Sequence, residues 1–214
     1  MIFRIKRDVS DSGPWALPGG STWTVNDGSL SPDYYFRVAD PLFPALLEAE
    51  ALSDLDGRRL LIGQKTPNTP LPDVLRFEVP EFVCSRRLTD IIETLEPDTH
   101  QIIPLTVVDR TDHSPFGTYD YINVVQTAPC LDVDASSHAQ RKVRKWDGVP
   151  WVSLSALTPG GQIVKESAAI GLHLWRDAEA RGAFFCSEAL KSRLEKARVT
   201  GFSFLAAQPA LNLH

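Results

Sequence analysis

Several groups of residues have types and spacings that could do chemistry. The sequence has three cysteines, Cys84, Cys130 and Cys186. Cys84 and Cys186 each stand one residue before a serine that can start a helix. At that position a helix dipole lowers a thiol pKa and favours a nucleophilic thiolate. Both also close short aromatic runs, Phe82-Val83-Cys84 and Phe184-Phe185-Cys186, where a small apolar side chain fills a core. An odd, widely spaced set without CxxC points away from a disulfide framework or a structural zinc site and towards three reduced cysteines.

Asp109, Asp112, His113 and Asp120 gather around the stretch Thr111-Asp112-His113-Ser114-Pro115-Phe116-Gly117. Carboxylates and an imidazole can hold a metal ion. The same residue types populate any turn, because their side chains bond local backbone, and the spacing fits no metal loop. Asp132, Asp134 and His138 form an acidic pair with a base in a polar stretch that reads as a surface loop. Arg141, Lys142, Arg144 and Lys145 form a basic run followed by Trp146. Such a run can hold phosphate or stack on a base, but on an acidic chain it reads first as a solvated face. There is no GxSxG, HExxH or GxxxxGK[ST]. Each of these groups therefore reads first as core, local turn or solvated face, and none is taken as a catalytic or metal site. The alternatives are an enzyme, a hydrolase or transferase using Cys186 or the Asp109/Asp112/His113 turn, since active sites assemble in space, and a protein-binding adaptor.

The elements that must position these residues follow from periodicity and punctuation. Residues 1–32 read as irregular, and Trp15 and Trp23 either pin that segment to the core or anchor a partner. A strand is predicted at Tyr34–Val38 and a helix at 41–53, capped by Asp40 with Pro41 in its first turn. The proline density of 66–72 marks a loop. Phe82–Cys84 is a strand, and Ser85 caps a helix over 86–96 whose Leu88, Ile91, Ile92 and Leu95 lie on one face. Ile102–Val108 and Thr118–Val125 form a hairpin. Val149–Leu154, Leu172–Trp175 and Ala183–Cys186 are strands. Ser187 caps a helix over 188–198, and Thr200-Gly201 leads to a last strand at Phe202–Leu205. The segment from Phe82 also lines up, without a gap, with the segment from Phe184: Cys84, Ser85, Leu88 and Ile92 face Cys186, Ser187, Leu190 and Leu194. This echo predicts a repeated strand–helix–strand unit whose two copies share a sheet.

With 214 residues, 43% hydrophobic and 23% charged, the chain can bury a substantial core. The reading is one domain over 1–214 of class α+β, a mixed, mostly antiparallel sheet with a few packed helices. The sheet's second face can stay partly open towards a protein partner. A net charge of -5 argues against nucleic acid, and no apolar stretch reaches membrane-spanning length. The polar N-terminus lacks a signal-peptide pattern, so a cytoplasmic location is expected.

One stretch resembles a known family. Residues 171–207, GLHLWRDAEARGAFFCSEALKSRLEKARVTGFSFLAA, are similar to immunity proteins of bacterial polymorphic toxin systems. In that family a hydrophobic-Phe-Arg strand is followed by a turn, Phe-Val-Ser-Glu, a helix and Thr-Gly before a Phe-containing strand. Trp175-Arg176, Phe184 to Glu188 and Thr200-Gly201-Phe202 hold these places, with Trp175 and Cys186 where Phe and Val are usual. The helix from Ser85, the strand Gln101-Ile102-Ile103-Pro104 and the segment Tyr121-Ile122-Asn123-Val124-Val125 are similar to the family's middle region. The resemblance covers about residues 80–207. It implies an antitoxin that binds a cognate protein toxin without catalysis, with no cofactor and no membrane or nucleic-acid partner. Trp15 and Trp23 are its candidate interface residues.

Overall fold

The computed structural model describes residues 1–7, 60–63, 72–75, 82–109, 112, 114–137, 139–143, 148–154, 161–180 and 182–210. The strand expected at Tyr34–Val38, the helix expected over 41–53, Trp15, Trp23, His113, His138 and nearly all of the proline-rich loop lie outside these residues. Strands β1 (Ile2–Arg7), β2 (Leu60–Gly63), β3 (Val74–Leu75) and β4 (Phe82–Cys84) precede helix α1 (Arg86–Leu95). Then come β5 (Gln101–Asp109), β6 (Pro115–Asn123), β7 (Thr127–Ala128), β8 (Ala139–Val143), β9 (Pro150–Leu154) and β10 (Ile163–Val164). The chain continues with β11 (Leu174–Asp177), β12 (Phe184–Ser187), α2 (Glu188–Lys196), β13 (Phe202–Ala206) and β14 (Gln208–Pro209).

The class is α+β, but among the described residues the strands form two five-stranded sheets and two two-stranded ones rather than a single sheet. The five-stranded orders are β2-β5-β6-β4-β3 and β13-β1-β12-β11-β7. Pairing is mostly antiparallel, with parallel contacts at β2–β5, β7–β11 and β10–β14. The hairpin β5–β6 forms as the sequence predicts, with its second strand starting earlier, at Pro115. The strand expected at Leu172–Trp175 is displaced to Leu174–Asp177, because the bend before it is held by the Leu172 N–H to Ala169 carbonyl bond.

The repeated unit is real, and it is a split one. In the first sheet β4 and β5 both pair antiparallel with β6, which lies between them. In the second, β12 and β13 both pair antiparallel with β1. Each copy is thus a strand, a helix and a parallel strand, with an antiparallel strand inserted between the two. The register matches as well. Asp120 faces Cys84 and Pro104, while Phe3 faces Cys186 and Ala206. Above them, Thr89 on α1 bonds Asp120, and Lys191 on α2 lies 4.8 Å from the Phe3 ring centre. The copies do not share a sheet. Each sheet places its own helix on the common core, and the helices pack on each other. Leu88 and Ile92 from α1 meet Leu190 and Leu194 from α2 there, with Ile122, Cys84, Phe3 and Cys186 below. Each such fully buried side chain contributes about 1.5–3 kcal/mol.

The second sheet is covered on both faces, contrary to the open face expected from the sequence. Phe3, Leu174 and Phe184 point into the helix-bearing core. Their chain neighbours Ile2, Trp175 and Phe185 point the opposite way, into a second cluster with Cys130, Leu131, Val152 and Val164. This alternation explains why β11 and β12 are apolar or buried at nearly every position.

Candidate interaction surface

The polar side chains that the fold brings together are found first at the junction of the two repeats. Asp73, just before β3, is buried and accepts hydrogen bonds from the Ser85 hydroxyl at 2.7 Å, the Thr200 N–H at 2.9 Å and the Arg87 guanidinium. In return its own N–H donates to the Thr200 hydroxyl at 3.1 Å. The other copy mirrors this. The N–H of His173, just before β11, donates to Glu96 at 2.6 Å, and the next N–H, of Leu174, donates to the same carboxylate at 2.9 Å. So a residue that follows one copy's helix, Thr200 or Glu96, clasps the residue before the strand paired with the other copy's first strand, β3 or β11. Burial pushes the Asp73 carboxyl up, but bonds from Arg87, Ser85 and Thr200 together hold it below the usual carboxylate value. Burial acts likewise on Glu96 and is outweighed by its bonds from His100 and from the His173 and Leu174 backbone.

Residues quoted for the family resemblance sit in the same frame. Arg176 is fully buried, donates to the Asn123 side-chain oxygen at 3.0 Å and lies 5.1 Å from the Phe184 ring centre. Thr200 belongs to the clasp, and Gly201 passes so close to Val74 that a Cβ would stand 2.9 Å from its carbonyl oxygen. In this chain these residues are joints between the two copies.

The candidate nucleophiles fare poorly. Cys84, Cys130 and Cys186 are free and buried. Burial pushes the Cys130 thiol up to about 12 and the other two upward as well, so none is held as a thiolate. His173 Nδ1 lies 2.8 Å from the Ser187 hydroxyl, a pairing that could suggest a serine nucleophile. That hydroxyl also accepts the Leu190 N–H as the cap of α2. The equivalent pair in the other copy is Asp73 and Ser85, and in both the serine N–H bonds the carbonyl of the earlier residue. A contact repeated with Asp in place of His is a latch between strand and helix. Ser85 therefore stands at the N-cap position of α1 but does not cap it through its side chain, as the sequence predicted; the hydroxyl donates to Asp73 instead.

Among the described residues the acidic candidates do not assemble. Asp112 accepts the Ser114 N–H and hydroxyl within the turn. Asp109 ends β5 beside Gly63. Asp120 is buried beneath α1, bonded to Thr89 and to Arg86. Asp132 accepts the Ala135 N–H, and Asp134 pairs with Arg141. Among the described residues no three His, Cys, Asp or Glu side chains form a group that could hold a metal ion.

What the described residues do present outward is the ribbon β8–β9. Its two strands pair antiparallel, with Lys142 opposite Trp151 and Val143 opposite Pro150. Trp151 keeps 41% of its surface exposed and Val143 63%. Sequence patterning marked the basic run here but not Trp151, whose exposure follows only from its register across from Lys142.

Comparison with known proteins gives one result. Residues 19–209 match the model of an immunity protein family, Imm11. The match covers most of the chain, and it reaches well upstream of the stretch from about residue 80 that the sequence reading could connect. No curated protein matches.

Proposed function

Since the chain belongs to the Imm11 immunity protein family, and so has the role of an immunity protein, we propose that it acts by holding a cognate toxin in a tight complex without turnover. The observation that supports this is the fate of the polar residues. The carboxylates of Asp73 and Glu96, the His173 backbone, Thr200 and the Arg176–Asn123 pair are engaged in joining the two repeats. They build a rigid frame, and a rigid frame reduces the ordering cost of binding. The toxin meets this frame in the cytoplasm of the producing cell, where the thiols stay reduced. No helix among the described residues is long and apolar enough to cross a membrane. Trp15 and Trp23 remain candidate anchors in the N-terminal segment.

The experiment is co-expression of the toxin domain encoded beside this chain's gene, with and without the chain, followed by purification. Protection together with a stable complex of fixed stoichiometry supports binding. Protection with the toxin recovered uncomplexed and chemically altered contradicts it and makes the chain an enzyme.

A further inference from the structure

The ribbon β8–β9 combines three features. Its charge runs against that of the chain. Residues 139–151 carry Arg141, Lys142, Arg144 and Lys145 against the single acid Asp147, in a chain of net charge -5. The contacts described for it lie on one side. Val152 is buried in the second core cluster, its N–H bonds the Glu179 carbonyl at 3.0 Å, and the Leu154 carbonyl accepts from Arg4. Arg141 is drawn to the same side by Asp134 and Glu179. The opposite face bears Lys142 and Trp151 side by side, while exposed Val143 and Pro150 alternate to the Arg141–Val152 side at the tip, next to exposed Val149. Finally, β8 pairs with no strand but β9 among the described residues.

A large aromatic beside a lysine on an anchored ribbon has the make-up of an interface anchor: apolar area that needs no ordering, with a charge that selects the partner. We propose that this face of β8–β9 is the surface that docks the toxin, and that the toxin presents an acidic patch to it. The inference rests on the immunity reading above. Local complementarity of this kind governs encounter and specificity even when the two molecules' net charges say otherwise. A protein patch fits better than nucleic acid, because the charge already neutralised at Arg141 leaves a short basic track on an acidic body.

The test uses the full chain and the toxin domain encoded beside it, inactivated at its catalytic residue. Trp151→Ala, Lys142→Glu and a control on α2, Lys196→Glu, are compared with the unsubstituted chain by titration at low and moderate salt. Thermal unfolding of each variant is measured alongside. The expected result is at least tenfold weaker binding for Trp151→Ala and Lys142→Glu, a flatter salt dependence for Lys142→Glu, and a change below twofold for Lys196→Glu. Hydrogen exchange on the unsubstituted complex is a second reading, independent of variant folding, and should show protection of residues 139–154. Tight binding by the unsubstituted chain with neither an affinity loss nor exchange protection at the ribbon overturns the docking site and leaves the immunity reading standing. Absence of binding or protection by the unsubstituted chain overturns the immunity reading itself. A labelled 20-nucleotide single-stranded RNA serves as the competing probe. If it binds as tightly as the toxin and loses affinity in the same variants, the ribbon is a nucleic-acid surface and the proposal fails.

Discussion

Gly201→Ala tests the joint between the two repeats. Gly201 has φ +93° and lies against β3, where an added Cβ would stand 2.9 Å from the Val74 carbonyl oxygen and 3.0 Å from its Cβ. Two penalties therefore combine. The left-handed backbone costs a non-glycine residue about 1–2 kcal/mol. The contact adds more, since the atom met is backbone in a paired strand and cannot rotate aside; an overpacked site costs about 1–3 kcal/mol. Gly171 separates the two, with φ +82° and nothing within 4 Å of its hypothetical Cβ. Gly171→Ala should cost about 1–2 kcal/mol, and Gly201→Ala about 2–5 kcal/mol. In a chain of this size each kcal/mol lowers Tm by about 2–4 °C, so the two variants should differ by several degrees in thermal or urea denaturation. Equal losses within about 0.5 kcal/mol would show that the approach of Gly201 to Val74 constrains nothing.

The two serines should behave differently despite their matching positions. Ser187→Ala removes a cap on α2 and should cost about 0.5–2 kcal/mol. The loss from Ser85→Ala should instead be largely absent in an Asp73→Ala background, which removes the acceptor, measured as a double-mutant cycle. Acidification should loosen the clasp. Asp73 and Glu96 are both held below the usual carboxylate value, so their contribution is present above the unfolded value near about 4 and is lost as pH falls through the folded ones. A pH series of urea midpoints should therefore drop below about pH 4, less steeply in Asp73→Asn. Cys186→Ala should fold and protect cells fully, at a cost of about 0.5–3 kcal/mol in stability. A folded variant that no longer protects would revive a thiol mechanism.

Local structure was legible where one signal decided it. The 3.6-residue spacing of Leu88, Ile91, Ile92 and Leu95 and the aromatic runs before Ser85 and Ser187 located both described helices and the strands that feed them. The gapless alignment of the two segments located the repeat. Its assembly was not legible, because the strand inserted into each copy is remote in sequence: β6 in one, β1 from the chain's start in the other. A pairing between residues 3 and 206 leaves no local trace. The clasps were missed for the same reason. Asp73 lies among prolines and Glu96 ends a helix, and nothing in either neighbourhood signals a partner over seventy positions away. Ser85 shows how a correct position can carry a wrong contact: its hydroxyl had a nearby carboxylate to prefer over the helix end. Of the interface candidates, the basic run was visible but not Trp151 beside it, since cross-strand neighbours depend on register.

The most direct measurement of the central claim is calorimetric titration of the purified chain with its inactivated toxin domain, paired with assay of the active toxin at increasing ratios of chain. Immunity by capture predicts a dissociation constant of about 1 nM or lower, corresponding to about -12 kcal/mol. It also predicts toxin activity that falls linearly to zero at the stoichiometric point. Loss of toxin activity at substoichiometric amounts of the chain, without a matching heat of association, would contradict the account.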